Sequence, residues 1–510
     1  MKFSTSFDRL FLFVLIAVIL VSCSPKTVDI VPPDEDTPVA EVDVLSENQD
    51  WDNREIFRPG LIVETQGVLA ELPGASVYKL DFTISDDRLK LDGHQAVKYT
   101  NREGVSLDEI YFQLFPNASG GGADLSNVKI DDQKVTPEYL DERTVARLPL
   151  SPPLEPGVST IIEFDFSVDM AEEMGGNFGT FGYFDEILVM DEFYPVIPVY
   201  DESGWNYKVP SVGDLTYLDA SFYLVSVTAP SELKLIASGY EVENKKSGKQ
   251  QTVTYAAGPA RDFYLAASDK FTSISKQVGE TTINSYAFSN RKDAAELALD
   301  IASEALKIFN RRYGVYPYSE FDVVSTPMMA LGIEYPGIVG IAVDLYDLDQ
   351  TIYGMPAQVV LESTVAHEVG HQWFYNMVGN SQISEPWLDE AVVQYITGIY
   401  YKDRYGNSAF ESYSDSWFDR WGRVDQEMIS VGMPSESYDD YEYSSIVYGR
   451  GPIFVNALAE EMGQNSFDEF MIEYFQTNLW GIGTEQEFRD LAEQHCSCDL
   501  SSLFAEWLDE

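Results

Sequence analysis

His367-Glu368-Val369-Gly370-His371, followed by Trp387-Leu388-Asp389-Glu390, is the stretch from which the rest of the chain can be read. The chain has four histidines, and two of them stand here, either side of a glutamate. On an α-helix, positions i and i+4 share a face, so both imidazoles can turn toward one metal ion. Glu368 sits beside the first and can reach a metal-bound water. Apolar spacing predicts a helix over residues 356 to 378, with Val359, Val360, Val365, Ala366, Val369, Trp373 and Phe374 mostly on one buried side. The competing reading is a surface helix with two histidines and a solvated glutamate. A catalytic zinc takes three protein ligands and keeps a fourth position for water, whose pKa falls toward about 7. Glu368 would take a proton from that water and pass it to a leaving amine. The third ligand must come from elsewhere. Glu390 lies nineteen residues past His371, a gap that suits one helix, a turn and the start of a second helix, predicted over 388–403.

The segments HEVGHQWFYNMVGN and EPWLDEAVVQY together resemble the zinc signature of the aminopeptidase N family. That resemblance implies one Zn2+ per chain, held by His367, His371 and Glu390, and peptides as substrates. Upstream, Gly332-Ile333-Glu334-Tyr335-Pro336-Gly337 is similar to the family's GxMEN motif, with Leu331, Ile333 and Tyr335 at positions where the family has Gly, Met and Asn. By the same resemblance Glu334 would hold the free α-amine of a substrate, and a fixed carboxylate there makes an enzyme count from the N-terminus. Val447-Tyr448-Gly449-Arg450-Gly451 resembles the family's Tyr-x-Lys-Gly segment, which implies that Tyr448 donates to the oxyanion. One such donor contributes about 3 kcal/mol to transition-state stabilisation. Many members carry an acid seven positions after the zinc glutamate, where this chain has Thr397.

At the N-terminus, Lys2 and Arg9 flank an apolar run from Leu10 to Val21 that ends in Leu20-Val21-Ser22-Cys23. This resembles a bacterial lipoprotein signal, so residues 1–22 are expected to be a leader and Cys23 a lipidated first residue; an ordinary secretory leader is the alternative. The protein is then expected in the cell envelope, membrane-anchored through Cys23, with its catalytic part outside the cytoplasm, as a monomer. Residues 23–70, with Pro32-Pro33, Pro38 and dense acids between Asp29 and Glu55, read as an acidic disordered tether. Cys496 and Cys498 read as two half-buried free thiols beside His495. The formal net charge is −51, which excludes nucleic acid and anionic lipid surfaces as partners. It suits either a saline habitat or simple extracellular solubility.

The fold class expected is multidomain α+β. Residues 71–278 alternate apolar and polar positions, as in Tyr78-Leu80-Phe82-Ile84, Ile110-Phe112-Leu114, Ile162-Phe164-Phe166-Val168 and Tyr223-Val225-Val227. They predict an N-terminal antiparallel β-sandwich or saddle, with a turn at Asp92-Gly93. Residues 279–510 shift to helical periodicity, with helices predicted at 291–313, 408–420, 452–462, 466–478, 485–494 and 500–508 and strands at 321–326 and 337–343. This half resembles a thermolysin-like, mainly helical zinc peptidase domain, without the family's large helical C-terminal domain. Three functions follow: a surface zinc aminopeptidase, a thermolysin-like endopeptidase, or a catalytically weak surface peptide-binding lipoprotein.

Overall fold

The computed structural model describes residues 50–509, apart from 176–177, 211 and 425–428. The leader, Cys23 and the tether up to residue 49 lie outside the described residues. Among the described residues no helix is long and apolar enough to cross a membrane.

Strong alternation builds the N-terminal part. Its largest sheet has eight strands, ordered Tyr240–Ser247, Gln250–Ala260, Ser221–Pro230, Val77–Ile84, Lys90–Thr100, Ser159–Asp169, Gly122–Ile130 and Gln133–Lys134. Along Val77–Ile84, Leu80, Phe82 and Ile84 face the core while Asp81 and Thr83 face out. Leu80 pairs with Gln95 antiparallel and with Val225 parallel, so the sheet is mixed at its centre. A four-stranded and a three-stranded sheet share its apolar core, and the short pair Tyr200–Asp201 and Gly204–Trp205 completes this part. Asp92-Gly93 forms no turn. It lies inside Lys90–Thr100, where a Cβ on Gly93 would stand 2.7 Å from that of Phe82, so the glycine serves close packing rather than chain reversal.

The following part opens with a five-stranded sheet, ordered Phe271–Val278, Thr281–Phe288, Glu320–Thr326, Ile338–Ala342 and Gly332–Tyr335. Its first hairpin straddles residues 278 and 279, so the sheet places the start of this part at about Phe271 rather than at 279. Nine helices follow among the described residues: α1 (Lys292–Arg312), α2 (Ala357–Gly370), α3 (Glu390–Tyr405), α4 (Asn407–Trp421), α5 (Asp440–Ser445), α6 (Gly451–Met462), α7 (Gln464–Thr477), α8 (Glu485–Cys496) and α9 (Ser501–Trp507). In α1, Ala298, Ile301, Ala302, Ala305, Leu306 and Phe309 form the buried stripe, spaced three and four apart. Helix α2 stops at Gly370, well short of 378, and is buried nearly all round rather than on one side; Val359, expected inside, is 48% exposed.

Two further expectations are corrected. Residues Glu55–Gly60 and Val63–Ala70, assigned to the tether by composition, form 3-10 turns that bury Phe57 and Val68. A few apolar side chains anchor them despite their acidic surroundings. Cys496 and Cys498 are joined as a disulfide. Ser497 between them takes a left-handed conformation, φ 51°, and the two Cα atoms stand 5.1 Å apart, within disulfide reach.

Arg261, at the end of the strand Gln250–Ala260, ties the β-rich part to the helical part. Its buried guanidinium donates to the carbonyls of Leu218, Tyr375 and Gly481. Gly379 lies flat against it, and a Cβ there would stand 2.2 Å from Arg261 Cζ. Arg261→Met, which leaves the Leu218 and Tyr375 carbonyls without a donor and the Gly481 carbonyl with only the Gly379 N–H, is expected to cost roughly 3 kcal/mol. Gly379→Ala should destabilise in the same direction. Urea-unfolding midpoints equal to wild type in both variants would remove the clasp from the account of stability.

Candidate metal centre

Helix α2 carries His367 and Glu368 on its last turn, and His371 caps its C-terminus. Gly370 lets α3 come close: a Cβ there would meet Val393 Cγ1 at 2.9 Å. That approach sets Glu390, the first residue of α3, opposite the two histidines. Asp389 caps the helix by accepting from Glu390 N at 2.7 Å. At a helix N-terminus the Glu390 carboxylate also meets favourable backbone dipoles.

Three donor atoms converge. His367 Nε2 is 3.1 Å from Glu390 Oε2, His371 Nε2 is 3.1 Å from His367 Nε2, and His371 Nε2 is 3.5 Å from Glu390 Oε2. Ligand atoms 2.0–2.1 Å from a tetrahedral zinc stand about 3.3 Å from one another. The donor set and its spacing therefore fit Zn2+. His371 Nδ1 lies 3.1 Å from the carbonyl of Phe374 and donates to it, which turns the Nε2 lone pair to the centre. His367 Nδ1 is buried with no hydrogen-bond partner among the described residues. Thr397, at the family's acidic position, turns its hydroxyl back to the carbonyl of Val393 at 2.7 Å.

Glu334 and Glu368 gather on the other edge of His371, all three offering atoms within 4.8 Å of one another. Glu334 comes from the edge strand Gly332–Tyr335, its Oε1 3.9 Å from His371 Nδ1. Gln372 fixes that strand beside the helix end, donating to Tyr335 O and accepting from Gly337 N, each at 2.9 Å. Gln382 Nε2 approaches Glu334 Oε1 at 3.5 Å. Tyr448 lies in a π-turn, Ile446–Arg450, and its hydroxyl donates to Glu390 Oε1. Irregular turns of this kind recur at functional sites.

Burial decides the electrostatics. It lowers the His367 pKa to about 4, so this ring is neutral and its lone pair free. Burial is the largest single influence on Glu390 and would raise its carboxyl, but His371 and His367 together, through charge and hydrogen bonds, hold it below the usual range. Burial likewise disfavours charge on His371, yet Glu334 and Glu390 overcome it and raise this imidazole. Glu368 is pushed up by burial and then by Glu334, and Glu334 by burial. A pocket with this many carboxylates favours a bound cation.

Two residues near the centre were not found by sequence reasoning. Asp214 reaches in from the loop before Ser221–Pro230. Its Oδ2 is buried with no hydrogen-bond partner among the described residues, and burial followed by Glu390 raises its carboxyl. Arg420, from the last turn of α4, sits over the Tyr448 ring. Neither belongs to a local motif, and no signal in the sequence marked them.

Residues 297–507 match the family described as Peptidase family M1 domain. Aminopeptidase 2 of Candida albicans is 23% identical over 299 residues, which cover 56% of this chain and 32% of that protein. Probable aminopeptidase 2 of Sulfurisphaera tokodaii is 21% identical over 295 residues, covering 56% and 38%. The chain thus spans about a third of the length of these relatives. The M1 zinc metallopeptidase from Deinococcus radiodurans shares the fold with a TM-score of 0.62 at 15% identity, over 86% of this chain and 95% of that one. A two-domain M1 zinc metallopeptidase variant bound to L-arginine is similar at TM-score 0.62 and 16% identity, over 86% and 94%.

Gly332 leaves no room for a side chain: a Cβ would stand 2.3 Å from Glu368 Oε1. Gly332→Ala should therefore displace the Glu368 carboxylate while leaving the three donor atoms in place. The expected result is undiminished zinc content by metal analysis, with peptide hydrolysis reduced 10-fold or more. Full activity in this variant would show that the position of Glu368 is not set by Gly332.

Proposed function

We propose that this chain, a member of the aminopeptidase N family of zinc metallopeptidases, removes N-terminal residues from peptides. The observation that carries the reading is the placing of Glu334 and Glu368 within 4.8 Å of His371, beside the three-donor cluster. An amine anchor next to the reacting centre limits cleavage to the first peptide bond.

In this proposal His367, His371 and Glu390 hold the zinc. When bound, zinc supplies Lewis acidity, which acidifies water and polarises a carbonyl. Glu334 binds the substrate's ammonium, and that new positive charge offsets its burial beside other carboxylates. Glu368 takes the proton from the attacking water and delivers it to the leaving nitrogen; its raised pKa suits a group that must both accept and return a proton. Tyr448 donates its hydroxyl to the developing oxyanion. We further propose, from the N-terminal sequence alone, that the enzyme works in the cell envelope, tethered through a lipidated Cys23.

Aminoacyl arylamides and matched N-acetylated peptides test the exopeptidase reading. Free N-termini should be required, and equal cleavage of blocked and free peptides would favour an endopeptidase. Glu368→Gln should keep its zinc while turnover falls at least 100-fold, and a variant that retains activity would remove Glu368 as the base. Neither cleavage nor binding across a broad peptide library would exclude any peptidase function.

A further inference from the structure

Arg420 has an unusual position for a basic residue in this protein. The chain holds 33 lysines and arginines against 84 aspartates and glutamates, so acidic partners are plentiful. Other partly buried arginines have them: Arg312 pairs with Asp403 and Asp468, Arg404 with Asp300 and Glu362, and Arg489 with Glu485 and Asp509. Half-buried Arg420, among the described residues, has neither an ion pair nor a hydrogen-bond acceptor. Its Cζ lies 5.6 Å from the centre of the Tyr448 ring. That ring in turn lies 6.1 Å from the ring of His367.

The helix end accounts for part of this placement, since a cation suits the last turn of α4. It does not account for a half-buried guanidinium with no acceptor among the described residues. Burial accordingly pulls the Arg420 pKa down. Any carboxylate that docks on it recovers that loss, and the planar fork takes both oxygens at once.

The two sides of the centre differ. Glu334 stands beside His371, at 3.9 Å. Tyr448 and Arg420 stand beside His367. A peptide with its ammonium at Glu334 and its first carbonyl at the centre, that oxygen toward Tyr448, extends its next residue toward Arg420. This orientation rests on the aminopeptidase reading above. We propose that Arg420 is a specificity-determining residue that receives a carboxylate carried one residue beyond the scissile bond. The carboxylate has two sources: the free C-terminus of a dipeptide, or an acidic side chain at the second position of a longer peptide.

Four substrates with the same first residue separate these sources: Leu-Ala, Leu-Ala-amide, Leu-Asp-amide and Leu-Asn-amide. The wild-type protein should prefer Leu-Ala over its amide, or Leu-Asp-amide over Leu-Asn-amide, by about 10-fold or more in kcat/KM. The first preference identifies the C-terminal carboxylate as the ligand, the second the side chain. Arg420→Met should bring the ratio close to one, and Arg420→Lys, which keeps the charge but not the fork, should leave an intermediate ratio. Calorimetry with Glu368→Gln protein should show the same order in binding, without turnover. If wild type cleaves all four equally, or if Arg420→Met keeps the full ratio, the assignment of Arg420 is wrong and the aminopeptidase reading stands. If Arg420→Met does not fold, the wild-type and Arg420→Lys ratios decide. Failure of the wild type to bind or cleave any of the four removes the aminopeptidase reading and this inference with it.

Discussion

The grip of Arg261 and Asp262 on Tyr375 is the constraint on which the arrangement of the centre depends. Arg261 donates to the Tyr375 carbonyl, and the Tyr375 hydroxyl donates to Asp262. Tyr375 has φ +136°, a conformation that a tyrosine adopts only when its surroundings hold it there. It lies four residues past His371, where the chain leaves the end of α2. The same guanidinium also holds Leu218, in the loop that carries Asp214, and Gly481 from the turn before α8. One buried cation thus sets the β-rich part, the segment after the second histidine and the late helical part against one another. Losing the donor would leave the Leu218 and Tyr375 carbonyls unsatisfied, while the Gly481 carbonyl keeps the Gly379 N–H, so the joint depends on the guanidinium at two of its three points.

From this joint the site is assembled by close approaches rather than by long side chains. Gly370 admits α3, Gly332 admits the Glu368 carboxylate, and Gln372 pins the strand that bears Glu334. The result is a buried pocket into which Glu334, Glu368, Glu390 and Asp214 all bring carboxyl groups. Such a pocket is unfavourable without compensating positive charge. A metal ion would meet that need on one edge of His371, and in the proposed function a substrate ammonium would meet it on the other. In that proposal the cofactor and the free N-terminus answer the same electrostatic demand. On the opposite side Arg420 presents the reverse case, a cation short of an anion.

Much of this was legible in the sequence, for identifiable reasons. The pair His367 and His371 share a helix face by periodicity alone, and the predicted helices near 291–313, 388–403 and 485–494 correspond to α1, α3 and α8 to within two residues. Alternation in Val77–Ile84 and Ser159–Asp169 gave strands with the expected buried faces. The errors have equally local causes. Residues 55–70 follow the acid-dense, proline-bearing stretch that ends at Glu55 and so read as its continuation, yet they hold only Glu55 and Glu64 as acids, and Phe57 and Val68 find a core to enter. Helix α2 was extended to 378 because its apolar run continues, although the chain turns after His371 to bring Phe374 O to that ring. Gly93 was read as a turn because glycine between strands usually is one.

By itself the sequence determined the chemical types available: two imidazoles one helix turn apart with a base beside the first, a glutamate at the start of the next predicted helix, a β-rich half followed by a helical half, and a strongly acidic composition. Those properties follow from short-range spacing and from composition, which need no knowledge of distant contacts. Only the tertiary structure decided that Glu334 shares a cluster with His371, that Asp214 enters from another part of the chain, and that, among the described residues, His367 Nδ1 has no hydrogen-bond partner and Arg420 faces Tyr448 without an ion pair. Each of these is a contact between segments far apart in sequence, fixed by how helices and strands pack around Arg261, and no local pattern encodes such a meeting.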